Sequence, residues 1–184
     1  DLVDAPLGYV EGSAINVFDM RLRWFPDENK VRLESLRFFN IMSLTPVSDW
    51  STTPSWQLDI RLERIRLDEK TSDLAFVTRG GGGYSARWAG TTVFAMALLE
   101  ANISDDYKDG YSLLAGAQLG TSILLGFGQA LLLIESDEPV AGFELNRDSI
   151  SMELQYNLAT NTALRLGYKK IRYDNFDDED WFVR

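Results

Sequence analysis

Apolar and polar residues alternate along most of the chain with a period of two. The clearest case is the segment 149–158, in which every even position is apolar and every odd position is polar. Residues two apart lie on the same face of a β-strand, so this alternation predicts a strand with one apolar and one polar face. The segments 18–24 and 56–63 show the same pattern.

Ten segments of this kind follow one another, and no segment with a helical period separates them. Most are longer than the roughly 5–6 residues of a common globular strand and match the about 9–11 residues of a tilted membrane strand. We therefore predict an all-β fold, an antiparallel transmembrane β-barrel of about ten strands, with residues 1–184 forming one domain. The predicted strands are 13–25, 31–44, 55–67, 74–88, 91–103, 111–122, 126–135, 143–158, 163–173 and 179–184.

Three strands depart from simple alternation. In the fifth strand both faces are apolar, and we assign the larger side chains, Phe94, Met96 and Leu98, to the apolar face of the sheet. The second strand changes phase near Leu36. The ninth changes phase at Lys169–Lys170, where we predict a β-bulge.

Aromatic residues on the apolar face lie near strand ends, as they do at the two interfaces of a membrane barrel. We therefore predict that the apolar face points outward, toward lipid. A soluble sandwich or lipocalin-like barrel, with the apolar face inward, is the alternative. The predicted aromatic girdle consists of Trp24, Trp56, Trp88, Tyr111, Tyr156 and Tyr173.

The polar face mixes acidic and basic residues with glycine, alanine and serine, which suits a narrow lumen closed by ion pairs. Buried charges need partners, so pairing is the simplest account of this face. Glu100 is a further carboxylate expected there. The predicted ion-pairing residues of the lumen are Asp19, Arg21, Arg23, Asp59, Arg61, Glu63, Arg87, Glu153 and Arg165.

Connections after odd-numbered strands are acidic, whereas those after even-numbered strands are mostly short and nearly free of acidic residues. In bacterial membrane barrels the longer loops lie outside the cell, so the acidic connections are predicted to face the exterior and lipopolysaccharide. Their oxygen ligands would suit divalent cations that bridge lipid phosphates. These residues are Asp27, Glu28, Asp68, Glu69, Asp73, Asp105, Asp106, Asp109, Asp137, Glu138, Asp174, Asp177, Asp178 and Glu179.

The composition argues against most enzyme classes. Cysteine and histidine are both absent, which removes thiolate metal sites and histidine-based catalysis. The formal net charge of -10 disfavours nucleic acid as a partner. The run Gly80–Gly83 has no Gly-Lys-Ser/Thr after it, so it is expected to let the wall bend or to make room for a bulky side chain opposite. We predict no catalytic residue, no bound cofactor and no metal site within the fold.

Several short segments resemble one family of Gram-negative envelope proteins described only as a domain of unknown function. The resemblance is densest over residues 1–67 and is to the C-terminal half of that family. The segments are Asp1–Asp4, Gly8–Gly12, Phe18–Arg23, Val31–Leu36, Ser43–Pro46 and Ser55–Asp59.

The resemblance implies an N-terminal periplasmic domain of the lipoprotein N-acyltransferase type, with a cysteine-peptidase-like character. The catalytic residues of the family belong to that half, and none carries over to this chain. It also implies that sequence upstream of Asp1 supplies about two more strands, which would give a barrel of twelve.

The expected function is that of an outer-membrane anchor or scaffold for a periplasmic domain or an envelope complex in a Gram-negative bacterium. Outer-membrane lipid, lipopolysaccharide and a periplasmic or membrane protein are the expected partners. A small pore or transporter and a soluble ligand-binding barrel are the alternatives, and they differ in what the lumen holds and in which way the apolar face points.

Overall fold

The fold is known from a computed structural model that describes residues 13–25, 30–48, 52–66, 72–143, 146–159, 162–173 and 177–183. Within these residues the fold is all-β, with ten strands and no helix that could cross a lipid bilayer. The strands are β1 (Ser13–Phe25), β2 (Lys30–Ser43), β3 (Ser55–Arg66), β4 (Ser72–Trp88), β5 (Thr91–Ile103), β6 (Tyr111–Leu125), β7 (Gly128–Gly142), β8 (Arg147–Ala159), β9 (Thr162–Tyr173) and β10 (Asp177–Val183).

The strands form one antiparallel sheet in the order β1 to β10, and each strand pairs with the next one along the chain. The sheet curls into a half-barrel with an inner and an outer face. The prediction of ten antiparallel strands is confirmed, and most strand bounds agree to within two or three residues. Because all connections are simple reversals, the connections after odd strands lie at one end, here named the acidic end. Those after even strands lie at the other, here named the short-turn end.

The short-turn end owes its tight reversals to backbone conformation. Ala89 and Gly90 both have positive φ angles, of 46° and 79°, and join β4 to β5. Two central residues of this kind match the twist of a two-residue hairpin. Gly126 and Phe127 join β6 to β7 in another two-residue turn. These reversals bring long strands into direct register.

The predicted end of β7 was wrong. The strand continues through Asp137 and Glu138 to Gly142. Pro139 lies within it and pairs with Leu114 of β6. The register against β6 shifts directly after this pair, because the next pair is Leu113 with Ala141. The ladder with β8 stops at Asp137, so the missing N–H group of Pro139 leaves no gap on that side. Asp137 and Glu138 therefore belong to a strand and not to an acidic connection.

The orientation predicted for β5 was also wrong. Phe94, Met96 and Leu98 point inward and are 2%, 3% and 2% exposed, whereas the smaller side chains between them are exposed on the outer face. Glu100 lies on the same face of β5 as Phe94. Because the charge of Glu100 is enclosed among arginines inside the sheet, that whole face of β5 points inward. Gly120 makes the room on β6, because a Cβ atom there would collide with the Phe94 ring.

Two further irregularities are resolved by the strand ladders. Register shifts lie on both sides of Leu36, near Glu34 against β1 and near Phe38 against β3, which explains the phase change in β2. The bulge predicted at Lys169–Lys170 is absent from the described ladder of β8 and β9, which is regular there. The alternation therefore continues through this part of β9, with Lys169 and Ile171 on the inner face and Lys170 between them on the outer face.

Two apolar clusters lie at the two ends of the interior. Near the short-turn end, Leu44 packs with the inward side chains of β5, together with three half-buried residues. Those residues are Met42, Leu131 and Leu133. At the acidic end the second cluster consists of Ile65, Ala75, Val77 and Tyr107, with Phe143 packed against it.

Candidate functional site

Between the two apolar clusters, the inner face carries charged side chains in an alternating chain of acids and bases. It begins on β1, where Asp19 lies 4.0 Å from Arg37 of β2. Arg37 donates to Asp59 of β3 at 3.0 Å, and Arg61 donates to the other oxygen of Asp59 at 2.5 Å. Arg61 also donates to Glu63 at 2.6 Å. Three neighbouring strands are thus linked through side chains as well as through their backbone ladders.

Glu100 is the centre of this chain. One of its oxygens, Oε2, accepts from Arg147 at 2.9 Å, from Arg79 at 3.3 Å and from Arg61 at 3.4 Å. The side chain of Glu100 is only 1% exposed. A single buried carboxylate therefore joins guanidinium groups from three other strands, β3, β4 and β8. Such a group is stabilised only while those partners remain in place.

A second buried carboxylate extends the network to β7. Asp137 of β7 accepts from Arg79 at 3.1 Å through Oδ1 and from Arg147 at 2.6 Å through Oδ2. Glu135, two residues before Asp137 on the same face of β7, lies 3.6 Å from Arg79. The network consequently runs from β1 to β8 across the inside of the sheet and holds these strands in their curved arrangement.

The structure places the predicted ion-pairing residues in several different ways. Six of them form ion pairs within 4.0 Å, and the pair of Arg165 with Glu153, at 3.7 Å, is separate from the central network. Arg21 lines the interior cavity. Arg87 is half-buried, and its Nε donates to Thr92 at 3.1 Å. The side chain of Arg23 lies outside the described residues. The six are Asp19, Asp59, Arg61, Glu63, Glu153 and Arg165.

Sequence reasoning missed Arg37, Arg79, Glu135, Asp137 and Arg147, which hold most of the network together. Arg37 lies in the strand whose phase was not fixed, and Asp137 lies beyond the predicted end of its strand. Arg147 has the same parity as Ser149, so the alternation of β8 could have placed it on the inner face. No sequence signal links Arg79 to Asp137, because they are 58 residues apart.

A family model for a domain of unknown function (DUF7840) matches residues 1–182. The chain belongs to the DUF7840 family. Comparisons with curated proteins and with solved structures find no match.

In this DUF7840 domain the aromatic residues predicted for the girdle divide between the two faces. Trp56, Trp88, Tyr111 and Tyr156 are exposed on the outer face, whereas the side chain of Trp24 lies outside the described residues. Tyr173 contradicts the prediction, since it points inward and is 8% exposed. The cause is the regular register of β9, which gives Tyr173 the same inner face as Arg165 and Lys169.

The distribution of charges in the DUF7840 domain bears on whether the described residues could hold a metal ion. The carboxylates of the central network all lie beside guanidinium groups. Among the described residues, no group of three or more acidic side chains stands close enough together to hold a metal ion. Asp105, Asp106 and Asp109 lie in the connection between β5 and β6. The prediction was wrong for Asp73, which lies in β4, and for Asp177, Asp178 and Glu179, which lie in β10. The other predicted residues, Asp27, Glu28, Asp68, Glu69 and Asp174, lie outside the described residues. The predicted contact with divalent cations therefore stays a prediction.

Tyr107 caps the interior of the DUF7840 domain at the acidic end. It lies in the connection between β5 and β6, is 5% exposed, and its ring stacks on Phe143 with centroids 4.9 Å apart. The connection itself is held by backbone hydrogen bonds between Ser104 and Gly110 and between Gly110 and Tyr107. The loop thus folds over the barrel end instead of standing away from it.

Tyr107 is expected to ionise later than an ordinary tyrosine. Burial raises the pKa of its phenol, and the nearby Glu100 carboxylate raises it further. Because the folded state favours the protonated phenol, its contribution to stability is complete below the ordinary pKa of about 10 and is lost as the pH rises above it. Tyrosinate absorbance during an alkaline titration should show a late component that Tyr107→Phe removes. Tyr84→Phe, which removes an exposed phenol, should leave that component in place.

Proposed function

We propose that this domain is an outer-membrane β-barrel that anchors a periplasmic domain or an envelope complex in a Gram-negative bacterium. The observation that carries the proposal is the orientation of the two faces. Phe18 and Met152 are 71% and 50% exposed on the outer face, whereas Arg21 and Glu153 line the interior. A soluble barrel would turn these two sets the other way, and proteins in water rarely expose so continuous an apolar wall.

The apolar wall has the height that a bilayer requires. On β8 the outward side chains are apolar from Ile150 to Leu158, nine residues that span roughly 30 Å along the strand at about 3.3 Å each. With the tilt of barrel strands, this length corresponds to an apolar band about 25 Å tall. Charged outward residues lie toward the acidic end: Lys170 is level with Ile150 at the edge of the band, and Asp148 and Arg172 lie beyond it. That end would then face the exterior and lipopolysaccharide.

The ion-paired interior supports an anchor over a pore. Ion pairs join β1 to β8 across the middle, and an apolar cluster lies at each end. A selective pore needs a water-filled path or a ring of charges of one sign, whereas here acids and bases alternate. We expect no unitary current steps when the purified protein is reconstituted in a planar bilayer. Regular steps would favour the pore alternative.

Within the described residues, β1 and β10 share no ladder, and a sheet edge in contact with lipid would leave backbone groups without hydrogen bonds. Because β1 and β10 run in opposite directions, the sheet closes either directly or with an even number of additional strands. The pair of upstream strands implied by the family resemblance would meet this requirement. The domain that the barrel would hold at the membrane is the acyltransferase-like periplasmic domain that the same resemblance implies.

Arginine substitutions at two depths of the wall test the membrane placement. Leu154→Arg, at mid-height on β8, is expected to destabilise the protein in phospholipid vesicles by about 2–4 kcal/mol. Leu158→Arg, at the rim of the same strand, should cost only about 0–1 kcal/mol. Both positions are exposed, at 40% and 60%. Urea unfolding followed by tryptophan fluorescence measures the difference. Equal tolerance of arginine at both positions, together with solubility in the absence of detergent, would contradict the proposal.

A further inference from the structure

The interior contains a cavity beside the ion-paired network. Its volume is about 270 Å³, and its lining comes from β1, β2 and β3 on one side and mainly from β7, β8 and β9 on the other. One water molecule occupies roughly 30 Å³, and small-molecule sites begin at about 300 Å³. The cavity lies just below that range, so only a compact organic molecule would fit.

The carboxylates that line this cavity are already neutralised. Each lies within 4.0 Å of an arginine, and the arginines belong to the same network or to the separate pair on β8 and β9. The five carboxylates are Asp19, Asp59, Glu63, Glu135 and Glu153. A cation entering the cavity would find no carboxylate without a counterion, so a charged ligand of that sign is disfavoured.

Several hydrogen-bonding groups in the same lining have no partner among the residues that the structure describes. Gln118 is 3% exposed, and its Nε2 donates to Glu135 at 2.5 Å, yet its Oε1 has no hydrogen bond. The Nε of Arg79 also has none, although this residue is 6% exposed. Leaving a buried polar group unsatisfied costs about 1–3 kcal/mol. The amides of Asn40 and Gln57 line the same space with no recorded bond in the described part of the chain.

The floor of the cavity is apolar. Met42, Leu131 and Leu133 line it, and all three pack against the cluster at the short-turn end. Leu133 pairs with Ser151, and Ser151 pairs with Lys169, so an apolar surface, a hydroxyl and an ammonium group follow one another across three neighbouring strands. Neighbouring strands are about 4.8 Å apart, so one small molecule reaches all three.

We propose that this cavity binds a small uncharged polyol of about monosaccharide size. Hydroxyl groups both donate and accept, as the amides of Asn40, Gln57 and Gln118 require, and the C–H face of a sugar ring suits the apolar floor. Five carboxylates and six basic side chains line the cavity, and each carboxylate lies beside an arginine, so the lining favours a neutral ligand over a cation. This inference concerns the inside of the sheet and does not depend on whether the outer face meets lipid.

A second cavity supplies a route to the first. It has a volume of about 70 Å³ and shares with the larger cavity the lining residues Arg21, Ser35, Glu63 and Lys169. It extends to Tyr173 and Asp178 on β9 and β10, near the acidic end. A ligand could thus enter from the acidic end, along the side of the interior that the apolar cluster under Tyr107 leaves open.

Titration calorimetry on the purified, folded protein tests the proposal, with D-glucose as the polyol probe and acetate as the ionic probe. We expect saturable one-to-one binding of glucose and none of acetate. Gln57→Leu and Asn40→Leu, which keep side-chain bulk and remove an amide, should each weaken glucose binding at least tenfold. Gln57→Asn retains the amide and should restore part of the affinity.

The matched control is Thr78→Val on the outer face of β4, which should bind glucose as the unaltered protein does. Circular dichroism verifies that each variant is folded before binding is measured. The absence of saturable glucose binding would overturn the proposal and leave the cavity to water. Equal affinity in the Gln57→Leu and Asn40→Leu variants would also overturn it, as would tighter binding of acetate than of glucose.

Discussion

Replacing Glu100 with glutamine is expected to destabilise the folded protein by about 3–5 kcal/mol. The substitution preserves side-chain size but removes the charge that Arg61, Arg79 and Arg147 share through one oxygen atom. Asp137 would still pair with Arg79 and Arg147, but Arg61 would lose the link to the other side of the interior that the described residues provide. The three guanidinium groups would then repel one another with one negative charge fewer between them. The midpoint of urea unfolding, followed by tryptophan fluorescence in detergent micelles, measures the loss.

Glu179→Gln is the matched control, because it removes the same charge from an exposed ion pair. Glu179 lies 2.9 Å from Lys170 on the outer face, and its side chain is 52% exposed. Surface pairs of this kind contribute about 0–1 kcal/mol. If the two variants unfolded at the same urea concentration, the buried network would not be what stabilises the curled sheet.

Replacing Gly83 with alanine is expected to have the second largest effect, a loss of about 3 kcal/mol. A methyl group at Gly83 would lie against the backbone of β5, on the Ala95 carbonyl oxygen and within 2.7 Å of the Met96 Cα atom. Backbone cannot move aside as a flexible side chain does, so the two strands would separate locally. Overpacking in a tight region typically costs about 1–3 kcal/mol, and a clash with backbone is at the upper end. Thermal unfolding followed by circular dichroism measures the change.

Gly82→Ala tests the same substitution one residue away. Gly82 faces outward, and an added Cβ atom would meet only the Ser55 carbonyl oxygen at 3.6 Å, an ordinary contact. Alanine is favoured over glycine in an extended strand by roughly 0.5–1 kcal/mol, so this variant should be as stable as the unaltered protein or more so. Equal destabilisation at both positions would show that the close approach of β4 to β5 is not what requires glycine at position 83.

Strand positions were predictable because alternation is a local property of the sequence. On β8 the polar and apolar sets separate completely, so the face of each residue follows from its number. On β5 both sets are apolar, and only Glu100 and Asn102 could have indicated the inner face. The lesson is that one buried charge determines the orientation of a strand more reliably than the size of its apolar residues.

The pairing within the interior could not be predicted to the same degree. The alternation indicates that Asp59 and Arg61 share a face, and their ion pair follows from that proximity. The meeting of Arg79 with Asp137, by contrast, depends on how far the sheet curls, on the bulges in β2 and on the extension of β7 past Pro139. None of these quantities is encoded in a window of a few residues.

The simple strand order also has a consequence for how the protein assembles. Every backbone ladder joins segments adjacent along the chain, so hairpins can form one after another at a small entropic cost of loop closure. The bonds of Arg79 with Asp137 and of Arg147 with Glu100 join residues 58 and 47 positions apart. We expect these bonds to form only after the intervening strands have paired, as late contacts on a sheet already in register. Removing them should therefore accelerate unfolding and leave the rate of hairpin formation almost unchanged.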